Sequence, residues 1–144
     1  MTARIFEVVM LVLVLAAASA ARPAVAHHSY AMFDMENVIT YEGVVIEYTW
    51  RSPHAHLVVD IPPGEGVPSE HVGTWDVEGA STAIMTRQGW NRTTFKPGDR
   101  ITYVARPMKD GAKGSALFYV IMPDNHCLYM DVARPKERDS RCEN

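Results

Sequence analysis

Between Thr40 and Met122 the chain is cut by proline, glycine and asparagine into short runs in which apolar and polar side chains alternate. That rhythm restricts it to β-structure, because a period of two puts successive side chains on opposite faces of a strand. In the first run Val44, Ile46, Tyr48 and Trp50 alternate with Tyr41, Gly43, Val45, Glu47 and Thr49, so a regular strand is expected over 40–50. Ser52-Pro53 breaks it. A second run, His54 to Ile61, sets Ala55, Leu57, Val59 and Ile61 on one face and His54, His56, Val58 and Asp60 on the other. The aliphatic set is the core face. After the turn-rich connector from Pro62 to Pro68, Val72 to Gly79 forms a third strand with Trp75 and Val77 inward and Asp76 and Glu78 outward.

Ser81 is placed to N-cap a helix of one or two turns over 82–88, closed by Gly89, with Ile84 and Trp90 available to plug a core. Lys96-Pro97-Gly98-Asp99 carries a turn signature, and two further strands follow, Arg100 to Met108 and Ser115 to Met122. Three strands, a short helix and two strands is the order of a five-stranded OB-like barrel, an all-β fold whose helix caps one end. An antiparallel β-sandwich is the alternative, since turn spacing does not distinguish the two.

The N-terminus sets which residues reach the mature protein. Arg4 precedes an apolar run from Val8 to Ala21 interrupted only by Ser19, too short for a bilayer, which needs about 20 apolar residues. It reads as a cleavable export signal. Ala24-Val25-Ala26 offers small residues for cleavage before His27, with Ala18-Ser19-Ala20 as the rival site. The expected organisation is a signal peptide over 1–26, a barrel domain over 27–132 and a charged tail over 133–144. The expected location is the periplasm or the exterior, with no membrane attachment after cleavage. Cleavage removes two of the 14 Lys and Arg and one of the 17 Asp and Glu, leaving 12 against 16. A net charge of −4 without a basic run argues against nucleic acid, whose binding needs clustered cations. In an oxidising compartment Cys127 and Cys142 favour a disulfide, with two free thiols in a loose tail as the alternative.

Four of the six histidines form two close groups, His27-His28 and His54-x-His56. Side chains two apart on a strand share a face about 7 Å apart, so His54 and His56 are candidates to converge on one ion. Across a hairpin, Asp76 or Glu78 can accept the second ring N–H of His56 and fix its tautomer. If cleavage follows Ala26, His27 offers an amine and an imidazole on one residue, and one further histidine completes a nitrogen site. This resembles, in ligand type, the histidine brace of lytic polysaccharide monooxygenases and of some periplasmic copper chaperones. The expectation is a copper ion, or zinc as the alternative, held by His27 with His54 or His56, and His28 as an alternate ligand. A non-enzymatic role is expected. The competing reading is a metal-free binding module that uses Tyr48, Trp50 and the loops to hold a periplasmic protein partner or a small apolar ligand. No Gly-x-Ser-x-Gly, Cys-x-x-Cys-His or His-Glu-x-x-His motif is present. Asp76 and Glu78 are more simply a solvated edge than a catalytic pair.

His27-His28-Ser29-Tyr30-Ala31-x-Phe33-Asp34, Trp50-x-x-Pro53-His54, Trp75-x-Val77-Glu78, Gly89-Trp90, Lys96-Pro97-Gly98-Asp99 and Asp110-Gly111 are together similar to a family of small exported bacterial proteins of unknown function. The likeness runs from about His27 to Met122 and implies no activity. The chain departs from that pattern in its two cysteines, its charged tail and Arg51-Ser52 before the Pro-His pair.

Overall fold

The computed structural model describes residues 30–130 and 140–142. Six strands form one sheet: β1 (Ile39–Thr49), β2 (His56–Ile61), β3 (Gly73–Glu78), β4 (Arg100–Pro107), β5 (Gly114–Ile121) and β6 (Cys127–Tyr129). A single short helix, α1 (Thr82–Arg87), lies between β3 and β4. The strands are ordered β3-β2-β1-β4-β5-β6, and β3 also pairs with β5. That last pairing is parallel, with Asp76, Val77 and Glu78 opposite Gly114, Ser115 and Ala116. It joins the ends of the sheet and closes a five-stranded barrel, with β6 added outside β5. The fold is therefore the all-β, OB-like barrel that the element order implies, and the open sandwich is excluded.

The core follows from the pleat. Leu57, Val59, Trp75 and Val77 are all at most 2 % exposed, as the alternation of β2 and β3 requires. Ala55, Ile61, Ile101, Tyr103 and Val120 join them inside the barrel. Each large apolar side chain so buried contributes about 1.5–3 kcal/mol. One end is stoppered by aromatic rings: Tyr48 and Trp90 both pack edge-on against Phe95, at centroid separations of 5.2 and 5.7 Å. Trp90 Nε1 donates to the carbonyl of Tyr129 at 2.8 Å, tying the stopper to β6.

Two expectations are corrected. The alternation of β1 is not regular: Val45 faces Val59 but Glu47 faces Val58, so the ladder bulges at Ile46. An extra residue in one strand reverses the faces that follow it. Val45 is buried, Ile46 is 49 % exposed, and beyond the bulge Tyr48 turns back toward the core. On α1, Ser81 does cap, its side chain accepting from the amide of Ile84, and Gly89 has the expected left-handed backbone (φ 92°). The residue that enters the core from the helix is Met85, however, while Ile84 stays exposed. Adjacent helical residues point about 100° apart, so this short turn offers only one of the two to the core.

Past β5 the chain turns at 123–126 into β6, an extra strand that the sequence pattern did not announce. Cys127 is disulfide-bonded to Cys142, with the Cα atoms 5.4 Å apart. Around the bridge Val104, Tyr119, Ile121 and Tyr129 form a second apolar cluster outside the barrel.

Candidate functional site

The outward face of β2 and β3 carries the only close set of histidines among the described residues. Antiparallel register sets His56 opposite Glu78 and Val58 opposite Asp76. Side chains lean along their strands, so neighbouring acids on one face reach the same imidazole. His56 pairs through Nδ1 with Asp76 Oδ1 at 3.2 Å. His54 pairs through Nδ1 with Glu78 Oε1. The acidic acceptors expected from the hairpin are therefore present, and each histidine has its own.

His54 lies before β2 rather than in it, following a cis Ser52–Pro53 bond. Its segment is nonetheless fixed against the end of β3. The amide of Ala55 donates to the carbonyl of Ala80 at 3.1 Å, and the amide of Gly79 donates to that of Ala55 at 2.8 Å. Glycine eases the approach, because a Cβ on residue 79 would lie a tight 3.1 Å from the Ala55 oxygen and 3.2 Å from Met85 Sδ. The close approach brings His54 onto Glu78.

The two pairs differ in exposure. The His54 and Glu78 side chains are 27 % and 21 % exposed, whereas those of His56 and Asp76 are 42 % and 66 % exposed. His54 is the better shielded of the two imidazoles. Neither β2 nor β3 contains a lysine or arginine, while Asp60, Asp76 and Glu78 share their outward face with the histidines. The face is a place where a cation is electrostatically favoured.

Chemically, a neutral imidazole that donates through Nδ1 to a carboxylate carries its lone pair on Nε2, the tautomer in which histidine ligates a metal. Two such imidazoles are half of a site. Among the described residues no group of three or more His, Cys, Asp or Glu could hold a metal ion. His27 and His28, which would supply the remaining donors, lie outside the described residues.

The other histidines serve elsewhere. His71, just before β3, pairs through Nδ1 with the Tyr41 hydroxyl (2.5 Å), and its carbonyl accepts from Trp75 Nε1 (2.8 Å). It holds the β2–β3 connector against the barrel. His126 sits in the turn before β6, its amide bonded to Asp124 Oδ1. Tyr48 and Trp50, expected on an exposed binding face, instead pack against the core. A separate surface cavity of about 300 Å³ lies on the outer side of β1 and β4, lined by Glu42, Val44, Arg100, Thr102, Asn125 and Arg141 among others. It contains no histidine.

Fold and surface thus define a class: a small closed barrel whose outward β2–β3 face presents two imidazole–carboxylate pairs. Residues 15–117 match a family of unknown function (DUF6152), and the chain belongs to that family. No curated protein and no solved structure matches the chain.

Proposed function

We propose that the chain is exported, loses residues 1–26, and binds a copper ion through the amine and imidazole of His27 together with His54 or His56, with His28 as an alternate ligand. The observation that carries this reading is the pairing of His54 with Glu78 and of His56 with Asp76. Histidines left on a solvated strand have no need of two preset carboxylates. Metal-ligating histidines depend on such acceptors for ring orientation and basicity.

Covalent reach supports it too. Phe33 is bridged to Met108, Met108 is bonded to Gly114, and Gly114 pairs with Asp76. Asp76 is on the strand next to His56, so four strand spacings, about 19 Å, separate Phe33 from His56 along the sheet, and the six residues from His27 to Phe33 span up to about 20 Å. An amine with neutral imidazoles favours copper over zinc by the order of divalent stabilities. All donors must be unprotonated, so acid weakens binding.

The test is a competition titration with copper on three proteins: the mature chain, a form extended by one residue before His27, and the His54→Ala/His56→Ala double variant. The reading requires that both altered proteins bind more weakly. Equal affinity in all three leaves the metal-free binding module in its place.

A further inference from the structure

The outer side of β1 and β4 carries polar chemistry that the histidine face does not use. Gly43 and Val45 of β1 and Ile101 and Tyr103 of β4 are buried, so alternation turns Glu42, Val44, Arg100 and Thr102 outward. Antiparallel register sets Glu42 beside Thr102 and Val44 beside Arg100. Glu42 and Arg100 are therefore diagonal neighbours on one face, about 7–8 Å apart at the backbone. Both are exposed, and no ion pair joins them. Opposite charges that share a face without meeting suit a ligand that fits between them.

Walls around this face make it a cavity of about 300 Å³, at the small end of the range for small-molecule sites. Pro62, directly after β2, closes one side, and the turn at 123–126 between β5 and β6 closes another. Arg141 completes the lining. It stands beside Cys142, whose disulfide to Cys127 fixes it at the start of β6, and Cys127 in turn pairs with Ile121 of the cavity wall. The disulfide thus brings a second guanidinium to the cavity. Val44, Ile121 and Met122 supply apolar surface between the charged groups. Glu65 lines only the adjoining hollow over the connector. Two arginines against Glu42 make this lining cationic in a chain whose net charge is −3, so an anion is favoured there.

We propose that this cavity binds a small monocarboxylate that carries a hydrogen-bond donor beside the carboxylate and a short apolar tail, the chemistry shared by 2-amino and 2-hydroxy acids. Arg100 and Arg141 take the carboxylate, whose geometry the planar guanidinium matches. Glu42 accepts from the amine or hydroxyl, and Val44 and Met122 cover the tail. A phosphate dianion suits the cavity less, because Glu42 repels it. The cavity contains no histidine, so this site stands or falls independently of the copper reading.

The test is calorimetric titration of the oxidised protein with L-leucine, 2-hydroxy-4-methylpentanoate, 4-methylpentanoate and inorganic phosphate. At least one of the two donor-bearing acids is expected to bind, about tenfold or more tightly than 4-methylpentanoate or phosphate, and the tighter of the two tells amine from hydroxyl. Arg100→Gln should weaken that acid about tenfold or more, the scale of a charge-assisted hydrogen bond. Glu42→Gln should weaken it as well, yet leave 4-methylpentanoate binding no weaker. Cys142→Ser should bind like Arg141→Gln, both more weakly than wild type, with circular dichroism showing each variant folded. Absence of binding by both donor-bearing acids at millimolar concentration overturns the proposal, as does phosphate or 4-methylpentanoate binding equally well. Unchanged affinity in Arg100→Gln puts the acid outside this cavity and overturns it too. A Cys142→Ser protein with wild-type affinity overturns the role given to the disulfide.

Discussion

At the scale of single residues, the decisive contrast is between two histidines of one short motif that end in different surroundings. His56 belongs to the β2 ladder and meets the exposed Asp76; His54 lies ahead of the strand and meets the shielded Glu78. Alternation along β2 and β3 was enough to put the histidines and acids on one outward face, because the aliphatic residues between them leave no other assignment. It could not say which acid each imidazole takes, since that depends on the irregular contact between Ala55 and Gly79. Glu78→Gln keeps the shape of the side chain but removes the charge that makes His54 a better donor. Copper affinity should fall by about 10–100-fold, with a fold unchanged by circular dichroism. A Glu78→Gln protein with wild-type affinity would remove His54 from the ligand set.

Elements were legible where pattern alone decides them and illegible where one residue breaks the pattern. All five barrel strands and the capped helix lie within a few residues of where alternation and turn chemistry put them. The bulge at Ile46 was not visible, because Val44, Val45 and Ile46 are three consecutive β-branched residues and either alternation through them is acceptable in sequence. Packing settles the choice in favour of Val45. Gly43 shares the inner face, and a Cβ there would stand 2.3 Å from Val59 Cγ1 and 3.1 Å from the Asp60 oxygen. Gly43→Ala should therefore destabilise the barrel by about 1–3 kcal/mol through overpacking. In urea this appears as a lower midpoint with an unchanged slope. A midpoint equal to that of wild type would mean that β1 and β2 are not in such close contact.

For the whole molecule, closure depends on a pairing that no local signal contains, the parallel β3–β5 contact. The order of elements implied it through the architecture, and β6 with its disulfide extends it. Cys127 and Cys142 are separated by 15 positions, and a loop of that size stabilises by about 3 kcal/mol through the entropy it removes from the unfolded chain. Cys142→Ser should lower stability by about that amount with the barrel still folded; identical midpoints for oxidised and reduced protein would contradict it. Burial pushes the phenols of Tyr48 and Tyr103 above the ordinary value of 10.0. Above pH 10 the unfolded chain therefore releases protons that the folded chain retains. Stability is unaffected by these groups below that pH and falls as pH rises beyond it. Urea midpoints at pH 8 and pH 11 should show the loss.

The copper-binding reading joins all three scales, because it needs a histidine of the β2–β3 face, the carboxylate paired with it and the closed barrel that holds both strands. Its most direct test is the electron paramagnetic resonance spectrum of the mature protein loaded with one equivalent of Cu(II). The account predicts a nitrogen-rich equatorial set that loses nitrogen coupling in the His54→Ala/His56→Ala variant and changes again when one residue is added before His27. A spectrum that is the same in all three proteins would contradict it.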